Sequence, residues 1–199
     1  MAGDRDPDSG CVLLDGCDVR YPTVRRRITM IADEPYLMDA TVREHLHSSR
    51  QDLSDDDIAA VLERVGLGHL LMLEDGGVDA VLGTHAEVLS VHERHRLMIA
   101  MACLGTSDVV VIQDLALFSD ADAAEPLISA LTHSRPRTIV LSTMNEEVAG
   151  MADHVLAIVG KRQNAGVRGR IGRADRHAIQ PPIVAVRRIA VRRGHGEVL

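Results

Sequence analysis

Short aliphatic runs alternate along this chain with segments whose apolar residues recur at helical spacing. Val12-Leu13-Leu14 followed by Asp15-Gly16 predicts a strand running into a turn, and Ile28 to Ile31 predicts a second short strand. Thr41-Val42-Arg43-Glu44 has the hydroxyl and carboxylate spacing of a capping box, which predicts a short helix through Leu46. Ser54 opens another. Asp55, Asp56 and Asp57 fall in its first turn, where the helix dipole favours acids. Ile58, Val61, Leu62 and Val65 form its apolar stripe, and Gly66 ends it. Ser90 and Glu93 repeat the capping spacing, with Leu97, Ala100, Met101 and Leu104 continuing that helix. Val109–Ile112 and Thr138–Leu141 are unbroken apolar runs, which predict strands buried on both faces of a parallel sheet. His154–Val159 predicts a further strand. Alternating strands and helices mean an α/β fold. Beyond Gly160 the pattern fades into Gly, Arg and Pro, and only Ile183–Val191 has the makings of a short strand.

The 199 residues suffice for one domain, or one domain and a tail. No apolar run approaches the roughly 20 residues of a membrane span, and no signal-peptide pattern opens the chain. Cys11, Cys17 and Cys103 make an odd count without metal-type spacing, as expected for reduced thiols in a cytosolic protein. Two Tyr, one Phe and no Trp argue against stacking platforms for single-stranded nucleic acid.

The net charge of −7 hides an asymmetry. Residues 161–199 hold ten Lys/Arg and two acids, a net of +8, and residues 1–160 hold twelve basic and 27 acidic groups, a net of −15. A boundary near Gly160 follows, with a basic tail expected to be disordered. Such a tail either stays solvated or meets an anionic surface, whether membrane or nucleic acid; nucleic acid is the less favoured partner. His92 and His95 have the spacing H-E-x-H, not the H-E-x-x-H of zinc hydrolases, and no metal site is expected.

Several segments carry more than periodicity. They are Pro7 to Gly16, Val24 to Ile28, the stretch Ile31-Ala-Asp-Glu-Pro-Tyr-Leu-Met-Asp-Ala-Thr-Val-Arg-Glu-His-Leu46, Leu62 to Leu67 and Val81-Leu-Gly83. Leu89-Ser-Val-His-Glu-Arg-His-Arg-Leu97, Val109 to Asp120, Leu141-Ser-Thr-Met144 and Met151-Ala-Asp153 complete the set. In this order and spacing, from about Asp8 to Gly160, they resemble the nucleotide-binding domain of ABC transporters of the exporter type. The resemblance implies an incomplete P-loop NTPase (RecA-like) fold, a mostly parallel sheet with an ABC-type helical subdomain at about residues 40–105. It implies ATP and magnesium as cofactors and a transmembrane exporter subunit as partner. Pairing with a second nucleotide-binding domain and a place on the inner face of the cell membrane are implied as well.

The same resemblance marks where the chemistry has changed. No Gly-rich phosphate loop occurs in the chain, and its one lysine is Lys161, so ATP is not expected to bind this chain alone. Asp33 stands at the position of the Q-loop glutamine, with a shorter reach. Ser90, Val91, His92 and Glu93 occupy the signature, where glycines would let a helix N-terminus approach a γ-phosphate. Ser90 is open to two readings, a phosphate-facing hydroxyl or a plain N-cap. Gln113 replaces the magnesium-coupled Walker B aspartate. Asp114 holds the slot of the water-activating glutamate, one methylene shorter. Asp120 matches the D-loop aspartate, and Met144 replaces the switch histidine. By contrast Tyr36, Leu37 and Met38 lie in the best-matched segment, which in the family receives a loop of the transmembrane partner. They are expected to form a docking pocket or to pack in the core. Three readings follow: a catalytically impaired docking or regulatory half, a genuine transporter ATPase whose start is misplaced downstream, and a nucleic-acid binder acting through its tail.

Overall fold

A computed structural model describes residues 10–34, 36–74, 76–113, 118 and 120–157, together with the strand 183–188. It opens with a hairpin of β1 (Leu13–Leu14) and β2 (Cys17–Asp18). Asp15 and Gly16 turn it with φ of 51° and 77°, the left-handed pair that a two-residue hairpin loop requires. Asp15 also accepts from Arg27 Nη2 at 2.6 Å, which ties the hairpin to the sheet through Asp108, the partner of Arg27 Nε at 2.6 Å. A one-turn helix α1 (Pro22–Arg25), with proline in its first turn, leads into β3 (Ile28–Ile31).

Between β3 and the next strand of the sheet the chain is helical. α2 (Val42–Ser49), α3 (Asp55–Arg64) and α4 (Val91–Leu104) each start at a capping box, the anticipated ones at Thr41/Glu44 and Ser90/Glu93 and a third at Ser54/Asp57, where the sequence predicts only a helix start with acids in its first turn. These boxes satisfy helix N–H groups locally, which is why the sequence alone located the helix starts. Gly66 closes α3 at φ +74°, with Leu67 N donating to Leu62 O and Gly66 N to Glu63 O, the paired bonds of a Schellman motif. Three 3₁₀ turns, Gly68–Met72, Gly77–Asp79 and Thr84–Ala86, connect α3 to α4.

β4 (Val109–Ile112), α5 (Ala121–Ser134), β5 (Thr138–Thr143), α6 (Glu146–Gly150) and β6 (His154–Ala157) then complete the α/β alternation. Ile158 and Val159 of the anticipated last strand lie outside the described residues. The strand anticipated within Ile183–Val191 is β7 (Ile183–Arg188), and it enters the main sheet. Sheet order is β3-β4-β5-β7-β6. β3, β4 and β5 run parallel, while β7 pairs antiparallel with both β5 and β6. A mostly parallel sheet carrying a helical subdomain is the architecture expected from the sequence. The remainder of the basic tail lies outside the described residues.

One expectation is corrected. The apolar runs are not buried on both faces: burial alternates along β4 and β5. In the paired register, the rows Val110/Ile139 and Ile31/Ile112/Leu141 are buried. They share one core with Leu97 and Ile99 of α4, Leu127 and Leu131 of α5, and Val148 of α6. The intervening rows, Ile28/Val109/Thr138 and Met30/Val111/Val140, remain half-buried. β-Branched residues suit a strand on either face, so composition could not distinguish one covered face from two.

Candidate functional site

Because β3, β4 and β5 run in register, their last residues share one edge of the sheet, and the segments that follow converge there. In open α/β sheets this carboxyl edge is where ligands bind. Asp33 follows β3 by two residues, Gln113 follows β4 directly, and Met144 follows β5 directly. All three are exposed, Met144 at 41%. Gln113 N still donates to Ile31 O at 3.0 Å, so its backbone continues the ladder while its amide side chain leaves the sheet. Thr143 Oγ1 donates to Phe118 O at 3.3 Å, which draws the approach to α5 to the same edge. Asp120 is the N-cap of α5 and accepts from Asp122 N at 3.3 Å. Asp114 and Ser119 lie outside the described residues.

The N-terminus of α4 is bound to this edge by a buried contact. His95 Nε2 donates to Asp33 O at 2.7 Å, which places a proton on Nε2. Ser90 caps α4: its Oγ accepts from Glu93 N and donates to Glu93 Oε2 at 2.6 Å. Both readings of Ser90 therefore meet a hydroxyl already engaged as a cap. The Glu93 carboxylate is held below its ordinary range, first by the Ser90 hydroxyl and then by the Ser90 amide and His69, whose Nε2 lies 2.8 Å from Oε1. Val91, 49% exposed, and His92 put side chains at the first helical positions. Backbone approach there is hindered where glycine would leave it open.

The segment Tyr36-Leu37-Met38 divides. Leu37 is 3% exposed and joins the core, whereas Tyr36 and Met38 are 75% and 57% exposed. Core packing and surface display thus both occur in one tripeptide. Beside it lies a groove of about 330 Å³ along the outer edge of β3, walled by Met30, Tyr36, Leu37, Met98 and Met101. Flexible thioether side chains let such a wall change shape at little cost. Ser107, 4% exposed, also lines the groove, and its Oγ finds no hydrogen-bond partner among the described residues. Sequence reading places Met101 on the apolar stripe of its helix and does not single out Met30, Met98 or Ser107. Met98 and Met101 sit three apart on α4, flanking its buried Leu97 and Ala100, and that offset was the available signal.

Among the described residues, no group of three or more His, Cys, Asp or Glu converges to hold a metal, and no helix is long and apolar enough to cross a membrane. Cys103 is buried, and burial pushes its thiol up to about 11, which makes it a core residue and not a nucleophile.

Comparison with known proteins completes the picture. The chain is 32% identical over 166 residues to the mycobactin import ATP-binding/permease protein IrtB of Mycolicibacterium thermoresistibile, across 81% of this chain and 29% of that protein. It is 29% identical over 150 residues to the β-(1→2)glucan export ATP-binding/permease protein NdvA of Rhizobium meliloti, across 71% and 26% respectively. It thus spans less than a third of either relative, and their names include both import and export. In fold it is similar to a bacterial Atm1-family ABC exporter solved with ATP bound, with a TM-score of 0.59 at 17% identity, over 73% of this chain and 29% of that one. The ABC transporter family model matches residues 1–115, more than half of the sequence. The chain therefore belongs to the ABC transporter family, through the ATP-binding domain of its members.

Proposed function

We propose that this chain is a hydrolytically impaired ATP-binding-type unit that docks against, or regulates, the transmembrane part of an ABC transporter at the inner face of the membrane. The reading is carried by a contrast between two neighbouring regions. At the carboxyl edge, positions where the family resemblance calls for charge, imidazole or glycine hold Gln113, Met144, Val91 and His92. Beside that edge, a groove with a methionine-rich wall and polar neighbours Arg26, Thr29, Ser49 and Thr106 lies next to the exposed apolar side chains Tyr36 and Met38.

ATP and magnesium are typical of the family, and the residues described at this edge suit them poorly. Magnesium wants several oxygen donors in octahedral geometry, commonly one or two carboxylates. Asp33 brings a carboxylate and Gln113 a neutral amide, while the Asp120 carboxylate is engaged as the N-cap of α5. An active ATPase unit is the second reading, favoured by the retained carboxylates Asp114 and Asp120.

Docking is tested by capture. Membranes from the source cells are solubilised and passed over immobilised full-length chain. A polytopic membrane protein should be retained, and retention should fall at least about tenfold for the double variant Tyr36→Ala/Met38→Ala, since truncated anchors at an interface centre cost upwards of ~1 kcal/mol each. Equal retention by a correctly folded double variant removes the docking surface from the account.

A further inference from the structure

Next to the groove, on the far side of Tyr36, lies a separate cavity of about 410 Å³ lined by Asp33, Glu34, Tyr36, His85, Val91 and Arg94. Its walls are braced from within the fold. The buried imidazole of His95 holds the Asp33 carbonyl against α4, which fixes the start of the loop that carries both carboxylates. Across the cavity, His85 and Ala86 sit in the left-handed region at φ 56° and 53°. Non-glycine residues adopt that conformation only under strain. The turn presents the His85 ring edge-on to Tyr36, with centroids 5.1 Å apart and planes at 67°. A tyrosine braced this way offers an aromatic wall beside two exposed carboxylates. Arg94 offsets one of those charges and leaves the cavity negative by the other. The surrounding residues 1–160 carry a net charge of −15.

An aromatic wall with carboxylates at its rim attracts a guanidinium or ammonium through cation–π attraction and charge-assisted hydrogen bonds. We propose that this cavity receives an arginine or lysine side chain from the partner segment that docks in the adjoining groove. The assignment rests on the docking reading and adds a requirement to it: the docking segment carries a basic residue next to its apolar anchors. Complementary charge then fixes the register in which the segment lies, and a segment with an acidic residue at that place is rejected.

The test uses the full chain and small probes. Isotope-labelled protein is titrated with N-acetyl-arginine amide, with N-acetyl-norvaline amide and N-acetyl-glutamate amide as controls. The arginine probe should shift the Tyr36 and His85 resonances saturably, and its affinity should drop about fivefold or more in Asp33→Asn/Glu34→Gln. Both substituted side chains are exposed, so the variant keeps its fold. Three results overturn the assignment: an equal response to norvaline, an arginine response centred elsewhere, or no change in the double variant. Since no partner is present, this outcome is independent of membrane capture. Capture without an arginine response sinks the cavity assignment alone, and no capture by the wild-type chain with an intact arginine response sinks the docking reading.

Discussion

At the scale of single residues, local bonds around α3 and α4 do work that is open to measurement. Gly66 sits at φ +74°, and a Cβ there would come within 2.7 Å of Arg96 Nη1, which itself donates to Val65 O at 2.6 Å. Gly66→Ala should therefore lower stability by about 1–2 kcal/mol, read as a shift in the urea midpoint at unchanged slope. Glu93 tests electrostatics. Its pKa is depressed below the ordinary 4.5, so the stability it contributes is fully present above that value and is lost as pH falls through the lower folded value. Glu93→Gln keeps a capping side chain without the titration. The stability gap between wild type and Glu93→Gln should close on acidification below pH 4.5, and a gap independent of pH would contradict the assignment. The residue scale also shows how far a sequence reading reaches. Capping boxes were legible because every partner lies within three residues. The division of Tyr36, Leu37 and Met38 into surface, core and surface was not, because an apolar tripeptide does not announce which side turns inward. The His95 bond to Asp33 joins positions 62 residues apart and leaves no local trace.

At the scale of elements, the sheet sets the limits of what the chain reveals. β3, β4 and β5 were legible as aliphatic runs of the right length, and the α/β class followed from their alternation with helices. α5 was not anticipated: Pro126 lies inside it and reads as a break, yet α5 runs on through it to Ser134. α6, five residues long, is too short to show a period. The position of β7 is a non-local fact, since pairing partners up to about fifty residues away decide it. Its interior place is testable through the backbone alone. Val186 pairs with Val140 on one side and His154 on the other. Val186→Pro removes a donor from the middle of the sheet and should cost more than the ~1 kcal/mol of an ordinary hydrogen bond. Thermal unfolding that is unchanged in Val186→Pro would place residues 183–188 outside the sheet.

At the scale of the whole molecule, the fold positions the site by a simple rule. Parallel strands in register bring Asp33, Gln113 and Met144 to one edge, and the helical insertion between β3 and β4 returns through α4 to meet that edge. The family to which the chain belongs uses this geometry to hold ATP. Here Gln113 and Met144 carry an amide and a thioether and Val91 a β-branched side chain, while the adjoining groove keeps a methionine-rich wall beside polar lining residues. The proposed docking role needs this inherited frame and not the chemistry of ATP hydrolysis. The most direct test is equilibrium binding of labelled ATP to the full chain in the presence of magnesium, with Asp114→Ala alongside. No saturable binding in the micromolar range and no difference between the two proteins are expected. Micromolar affinity, weakened by the Asp114→Ala change, would contradict it.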